Sequence, residues 1–345
     1  MRLFFCIIFL SIHIITYSYS SVIDVRIYAE QNVKEIHFTV LSGTYEIFSA
    51  NKLLFVADKN ITFTVIAENK KLQLKNDSIV FYSLDNVMIT SRHADGVIYL
   101  KPGGKLRARA YDDNMTINAE SGFLKIINNI DIEKYVAGVV EAEVGALKNI
   151  EFYKVQAVAC RTYVLRNIRR HFHEGFHVCD KVHCQVYKGK TYNTEILSAV
   201  EQTNHFVIID KELNFISAVF HSNCGGQTVN SEHVWTLSST YLKSIKDTFC
   251  LHSKNAVWEF KIKKQDFLNY LEKTYKFPIN DTGMLEKAIN FSQYHGRRVY
   301  FLDMPNIHLK NIRADLKLKS TFFSIYPEGD MLIFKGRGFG HGVGL

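Results

Sequence analysis

The feature that most constrains this chain is a change of rhythm roughly one third of the way along it. Between residues 22 and 120, short runs rich in threonine, valine, isoleucine and aromatic residues alternate with polar turns. The runs fall at residues 25–28, 35–40, 61–66, 79–82, 96–100 and 105–111, with Gly103-Gly104 and Asp112-Asp113 as punctuation. Branched and aromatic residues suit a pleated, half-buried surface, so this part is predicted to be β-rich. After Ile132 the period lengthens. Residues 149–170 read as a helix, with Val155, Val158, Ala159, Thr162 and Leu165 forming an apolar stripe and Gln156, Cys160 and Tyr163 on another face. A helical stretch ending near Thr203, strands at 206–209 and 218–221, a helix over 264–275 and further β runs follow. The expected fold class is α+β: a β-rich amino-terminal region (21–120), then a mixed α+β domain (121–345).

Residues 1–20 carry the pattern of a secretory signal, with Arg2, an apolar run from Leu3 to about Ile15, and the small-residue stretch Ser18-Tyr19-Ser20. The run is shorter than the roughly 20 apolar residues that a spanning helix needs. An exported protein is therefore expected, in the periplasm, cell envelope or extracellular space, or membrane-tethered if the signal stays attached. Cys6 lacks the preceding small residues that lipid attachment requires. The formal charge of +8 loses one with Arg2 and becomes +7, which favours an anionic partner such as wall polymer or a membrane surface. Export disfavours nucleic acid. Beyond the signal remain Cys160, Cys179, Cys184, Cys224 and Cys250, an odd number in a compartment where disulfides persist.

Three segments carry candidate chemistry. Cys179-Asp180-Lys181-Val182-His183-Cys184 follows His171, His173 and His177, a density of thiols and imidazoles that suits tetrahedral zinc. A Cys179–Cys184 disulfide, or no special role, is compatible with the same residues. The second segment, His221-Ser222-Asn223-Cys224-Gly225-Gly226, lacks the glycine spacing of a nucleophile elbow. It leaves open a Cys224–His221 pair or a plain glycine turn. The third, residues 336–344, has glycine spacing superficially like a dinucleotide fingerprint, but no helix follows it, so that reading is rejected.

Taken in order, several motifs resemble the SpoIID/LytB family of stage II sporulation protein D and amidase enhancer proteins. They are Tyr135-x-x-Gly138-Val139-Val140-x-x-Glu143, Lys154-x-Gln156-Ala157-Val158-Ala159-x-Arg161-Thr162-Tyr163, and Cys179-Asp180-x-x-His183-Cys184-Gln185-Val186-Tyr187-x-Gly189. The series continues through His221-Ser222, Gly225-Gly226-x-Thr228, Val234-Trp235, Tyr241-Leu242, Gly296-Arg297-Arg298-Val299, Arg313 and Gly340-His341-Gly342-Val343-Gly344, covering about residues 122–345. Family members normally continue past the last motif with a polar pair and a short helix, so the resemblance implies a domain short of its final element at Leu345.

The resemblance implies a lytic transglycosylase acting on peptidoglycan glycan strands, with Glu143 as general acid. One carboxyl group suffices for that reaction. It protonates the oxygen between N-acetylmuramic acid and N-acetylglucosamine, then takes the proton of the muramic C6 hydroxyl as that oxygen closes on C1. A glycoside hydrolase ordinarily needs a second carboxylate to handle water or an intermediate. Val139, Val140 and Val144 are expected to raise the pKa of Glu143 by desolvation, and Glu141 by repulsion. The resemblance further implies that Lys154, Gln156, Arg161 and Tyr163 line the glycan groove, with His221, Ser222 and His341 near it. It implies a structural zinc on His173, Cys179, His183 and Cys184. The alternative it carries is a non-catalytic wall-binding protein that stimulates a cell-wall amidase.

Overall fold

The computed structural model describes residues 22–344, apart from 146–148, 236 and 294–296. The signal pattern, Gly296 and Leu345 lie outside the described residues. No described helix is long and apolar enough to cross a membrane. The fold is α+β, as expected. The chain divides into two compact units, one ending at Val207 and the other beginning at Ile208.

In the first unit, twelve strands precede any helix: β1 (Val22–Ile27), β2 (Glu35–Ser42), β3 (Tyr45–Ser49), β4 (Lys52–Ala57), β5 (Thr62–Glu68), β6 (Lys71–Lys75), β7 (Val80–Leu84), β8 (Asn86–Ser91), β9 (Val97–Pro102), β10 (Arg109–Asp112), β11 (Asn114–Glu120) and β12 (Phe123–Asp131). They form two sheets, one ordered β1-β12-β11-β8-β3-β4 and the other β10-β9-β2-β5-β6-β7. Their inner faces meet where β5 and β6 lie against β12, β11 and β8. Alternation along each strand supplies this core, with Ile36, Phe38, Val40, Ile47, Val65, Val87, Ile89 and Ile117 all buried. Phe38 and Phe63 stack at 5.2 Å.

Half of these strands are missing from the sequence reading. The turns between them are the reason. Ala50-Asn51 and Ser121-Gly122, all at positive φ, close β3–β4 and β11–β12 as two-residue hairpins. Such turns fit the strand twist but leave no polar stretch to mark a boundary. The sheet also runs through residue 120, because β12 pairs with β1 as well as β11.

Three helices complete the unit: α1 (Ile132–Val144), α2 (Ile150–Arg166) and α3 (Thr194–Gln202). Each starts on a side-chain cap, from Asp131, Asn149 and Asn193 respectively. The expected stripe on α2 holds in part. Ala159 and Thr162 are buried but Val155 is exposed, and the buried surface extends to Tyr153, Gln156, Ala157, Cys160, Arg161 and Val164, because α2 packs against both α1 and α3. A short strand, β13 (Val178–Cys179), adds in parallel to the edge of β1.

The second unit holds a three-stranded antiparallel sheet of β14 (Val257–Lys263), β15 (Phe323–Glu328) and β16 (Met331–Arg337), in the order β14-β16-β15, with α4 (Lys264–Tyr275), α5 (Thr282–Ile289) and α6 (Leu309–Asp315). Phe267, Leu271, Phe277, Phe291, Phe301 and Phe334 fill its core. The predicted helix over 264–275 is present. The strands expected at 206–209 and 218–221 are not formed; residues 208–256 run through 3-10 turns and isolated bridges instead. A smaller apolar cluster there joins Val229, Leu242 and Val343.

Candidate active site and metal centre

Glu143 stands in the last turn of α1, five residues after Gly138. A Cβ at Gly138 would collide with the carbonyl oxygen of Gly189 and lie 2.6 Å from the Tyr187 ring. Bare backbone at Gly138 therefore lets residues 185–189 lie directly on α1. That approach brings the Val186 N–H to Glu143 Oε1 at 2.9 Å. Both flanks of Val186 are fixed. Tyr135 Oη donates to Gln185 Oε1 at 3.3 Å, Gln185 Nε2 donates to the Cys160 carbonyl at 3.4 Å, and buried Tyr187 donates to Asn128 Oδ1 at 3.2 Å.

Burial raises the pKa of Glu143 above its ordinary value, against the opposing pull of the Val186 N–H and the Lys188 ammonium. Its place at the carbonyl end of a helix acts in the same direction as burial. Glu141 contributes nothing to that shift, contrary to expectation. Two residues apart on a helix, the side chains point to different sides, and Glu141 is exposed.

The groove residues implied by the resemblance have different surroundings. Lys154 pairs with Glu151 at 2.8 Å and is partly exposed. Gln156 is buried and donates to Cys160 Sγ at 3.7 Å; burial pushes that thiol up to about 12, with Glu143 among the contributing charges. Tyr163 Oη accepts from Arg170 at 2.9 Å. Arg161 does not line a groove. Its side chain is 2% exposed and makes a two-pronged pair with Glu133 at 2.8 and 2.5 Å, with a further bond to the Phe206 carbonyl at 3.0 Å. It ties α1 to α2 and to the chain end of α3. Glu133→Ala is expected to destabilise the protein by about 3–5 kcal/mol, because it strands a buried guanidinium. Urea unfolding measures this, and Arg161→Met with Glu133→Leu should recover most of the loss.

Beside this site, four donors converge: His171, Cys179, His183 and Cys184, all with ligand atoms within 4.8 Å of one another. Cys184 Sγ lies 3.5 Å from His171 Nε2 and 3.7 Å from His183 Nδ1, and Cys179 Sγ lies 4.0 Å from His183 Nδ1. The first two match the edge lengths of a tetrahedron around zinc, about 3.3–3.8 Å for bonds of 2.0–2.3 Å, and the third is slightly longer. His171 Nδ1 meets the Glu174 carboxylate at 2.5 Å, which leaves Nε2 free for a metal, and its ring stacks on Phe176 at 4.6 Å. The Cys179 thiol donates toward Cys184 and lowers the latter to about 6. All five described cysteines, Cys160, Cys179, Cys184, Cys224 and Cys250, are free thiols here.

His171 replaces the expected His173. The 3-10 turn Phe172–Glu174, closed by Gly175 at positive φ, folds His171 back onto Phe176 and leaves His173 exposed. The signal in the sequence was Glu174, three residues after His171. His177 is committed elsewhere, its Nδ1 accepting from the Asp24 N–H at 2.9 Å. The β-rich region holds the centre in place. Cys179 belongs to β13, and buried Asp180 accepts from the Tyr28 and Ala29 N–H groups at 2.9 and 3.2 Å and pairs with Arg109 at 3.1 Å.

In the second unit, the rings of His221 and His341 lie 5.6 Å apart, and Trp235 is 5.0 Å from His341. His221 Nδ1 is 3.2 Å from the Val343 carbonyl. Burial, then His221, lowers His341 to about 4, so its imidazole is neutral near pH 7. Ser222 Oγ accepts from Asn255 at 3.0 Å and is exposed. The Cys224 sulfur faces Cys250 and Asp247, and burial raises its thiol to about 12.

Residues 120–209, which contain Glu143 and the four-donor centre, match the family described as stage II sporulation protein, SpoIID. Over 332 residues the chain is 24% identical to an uncharacterized protein of Brachyspira hyodysenteriae, spanning 92% of this chain and 86% of that one. It is 29% identical over 235 residues to stage II sporulation protein D of Bacillus subtilis, 64% of this chain and 67% of that one. It is 24% identical over 258 residues to the amidase enhancer of Bacillus subtilis, 60% of this chain and 36% of that one. The family that the motifs suggested is the one to which these comparisons lead, that of the stage II sporulation protein D and amidase enhancer proteins.

Proposed function

We propose that the protein cleaves peptidoglycan glycan strands as a lytic transglycosylase, with Glu143 as its acid and base. The observation that carries this reading is a single half-buried carboxyl group whose pKa is raised by burial and whose Oε1 is held by a backbone N–H. With Oε1 held, Oε2 carries the proton to the glycosidic oxygen. The resulting carboxylate is stabilised by Val186 N–H and Lys188 while it withdraws the proton of the muramic C6 hydroxyl. No water is activated, so no second carboxylate is required. Export to the cell envelope follows from this substrate and from the signal pattern.

Zinc fits the four-donor centre. His171, Cys179, His183 and Cys184 would hold it, and four protein ligands make such a site structural. When bound, the metal supplies a crosslink within the segment that ends one residue before Gln185. The chain's own residues do the chemistry; the loop they form keeps the Val186 N–H on Glu143.

The test is digestion of peptidoglycan, intact and stripped of stem peptides, with mass analysis of the soluble fragments. Anhydromuramyl products that disappear in Glu143→Gln support the reading. Their absence from both substrates would remove it. Similarity to the amidase enhancer favours the second reading, a wall-binding protein that stimulates an amidase. That reading gains if the chain releases nothing alone yet accelerates stem-peptide release by a cell-wall amidase.

The pH profile offers a graded check. Lys188 lowers the Glu143 pKa, so Lys188→Met should raise it and keep the acid form to higher pH. The alkaline limb of kcat/KM then moves upward by roughly 0.2–0.7 pH unit, as an exposed charge allows, and further with Lys188→Glu.

A further inference from the structure

A second cluster of donors, Cys224, Asp247 and Cys250, lies in the second unit. Its geometry differs from that of the four-donor centre. The two chain segments are brought together by backbone pairing, reinforced by side-chain bonds of Gln227, Thr228, Asn230 and Ser244. Thr228 N–H donates to the Ile245 carbonyl at 3.0 Å, Gln227 bridges Lys246, and Asp247 N–H donates to the Gly226 carbonyl at 3.1 Å. This antiparallel register sets residue 224 opposite the turn that carries Cys250. Asn223 Nδ2 then donates to the Cys250 carbonyl at 2.8 Å, fixing that turn from the other side. The sulfurs meet at 2.8 Å. Two thiolates on one tetrahedral zinc stand about 3.7 Å apart, given zinc–sulfur bonds of about 2.3 Å. The cluster is too tight for a metal between its sulfurs.

We infer that Cys224 and Cys250 form a disulfide that closes residues 224–250 into a covalent loop. The bond forms by exchange with an oxidised dithiol carrier of an exported compartment, or with oxidised glutathione in vitro. The Cys250 thiolate, the more accessible of the two, attacks a carrier sulfur and displaces the other as thiolate. Cys224 then attacks Cys250 Sγ in the mixed disulfide. The carrier leaves with both electrons as a dithiol, and two protons pass to solvent or to the carrier thiolates.

The assignment accounts for the odd cysteine number. Cys179 and Cys184 belong to the four-donor centre, Cys224 and Cys250 to the disulfide, and fully buried Cys160 remains a thiol. It also explains how a segment with so small an apolar cluster is held. Cβ atoms at Gly225 and Gly338 would each lie within 3 Å of the other strand's backbone, so the Cys224 turn packs directly on the segment leading to His341. Bridging 224 to 250 therefore braces both histidine-bearing loops.

The test uses the full chain recovered from an oxidising compartment or equilibrated with oxidised glutathione. The protein is treated with chelator, denatured, alkylated with and without prior reduction, and mapped by mass spectrometry. Expected is one linked pair of peptides carrying residues 224 and 250, with alkyl groups on Cys160, Cys179 and Cys184. Reduction should lower the Tm by on the order of 10 °C in the zinc-loaded protein, and Cys224→Ser/Cys250→Ser should remove that sensitivity. Alkylation of both Cys224 and Cys250 without reduction, a Cys179–Cys184 link in their place, or a tightly held metal lost in the double variant overturns the assignment.

Discussion

Glu143→Gln is expected to lower the rate of glycan cleavage by roughly 10³–10⁴-fold while leaving the fold in place. The amide retains the shape of the carboxyl group and can still accept from Val186 N–H, at 2.9 Å in the native site. What it loses is the transferable proton at the start of the reaction and the basic oxygen at its end. Because one residue serves both steps, both fail together. Glu141→Gln is the control: that side chain is exposed and lies around the helix, so the rate should stay within about twofold, as for surface changes away from the site. Steady-state release of soluble fragments, with circular dichroism on each variant, separates loss of chemistry from loss of structure. Equal activity in Glu143→Gln and the native protein would leave Glu143 without a role.

The second large effect concerns the proposed zinc centre. Removing His171 should weaken zinc binding by well over 100-fold, and removing its partner in Glu174→Ala by about 10–100-fold, whereas His173→Ala should change it little. Competition with a chromophoric chelator measures all three. The ordering follows from geometry, since His171 Nε2 points to Cys184 Sγ at 3.5 Å and His173 is exposed. Stripping the zinc should also lower activity indirectly, because Cys184 is followed at once by Gln185 and then by Val186, whose N–H holds Glu143. Similar affinities for the His171 and His173 variants would contradict this assignment.

The sequence made some of this legible and hid the rest for identifiable reasons. The helix over 150–166 was readable through its Asn149 cap and helical spacing, and that over 264–275, which has no side-chain cap, through the spacing of Phe267, Leu268 and Leu271. Helix α1 was not, since Tyr135, Val136, Val139 and Val140 are strand-forming residues that tertiary packing makes helical. The strands beyond two-residue hairpins vanished into their neighbours. Among candidate site residues, Glu143 was singled out through its motif. The Val186 N–H was invisible, because a backbone donor carries no side-chain signature; only Gly138, which allows its approach, does. Arg161 was misplaced because a basic residue in a motif suggests a ligand, whereas half-buried Glu133, twenty-eight residues earlier, gives it a structural partner.

The proposed reaction turns on one carboxyl group working without water, and the source of the oxygen at the new sugar terminus tests that directly. Glycan strands digested by the protein in water enriched with heavy oxygen should yield 1,6-anhydromuramyl ends carrying no label. The oxygen that closes on C1 comes from the sugar's own C6 hydroxyl. Heavy oxygen at C1 of a reducing muramyl end would mean that water attacked, and that the site hydrolyses its substrate with a second group besides Glu143.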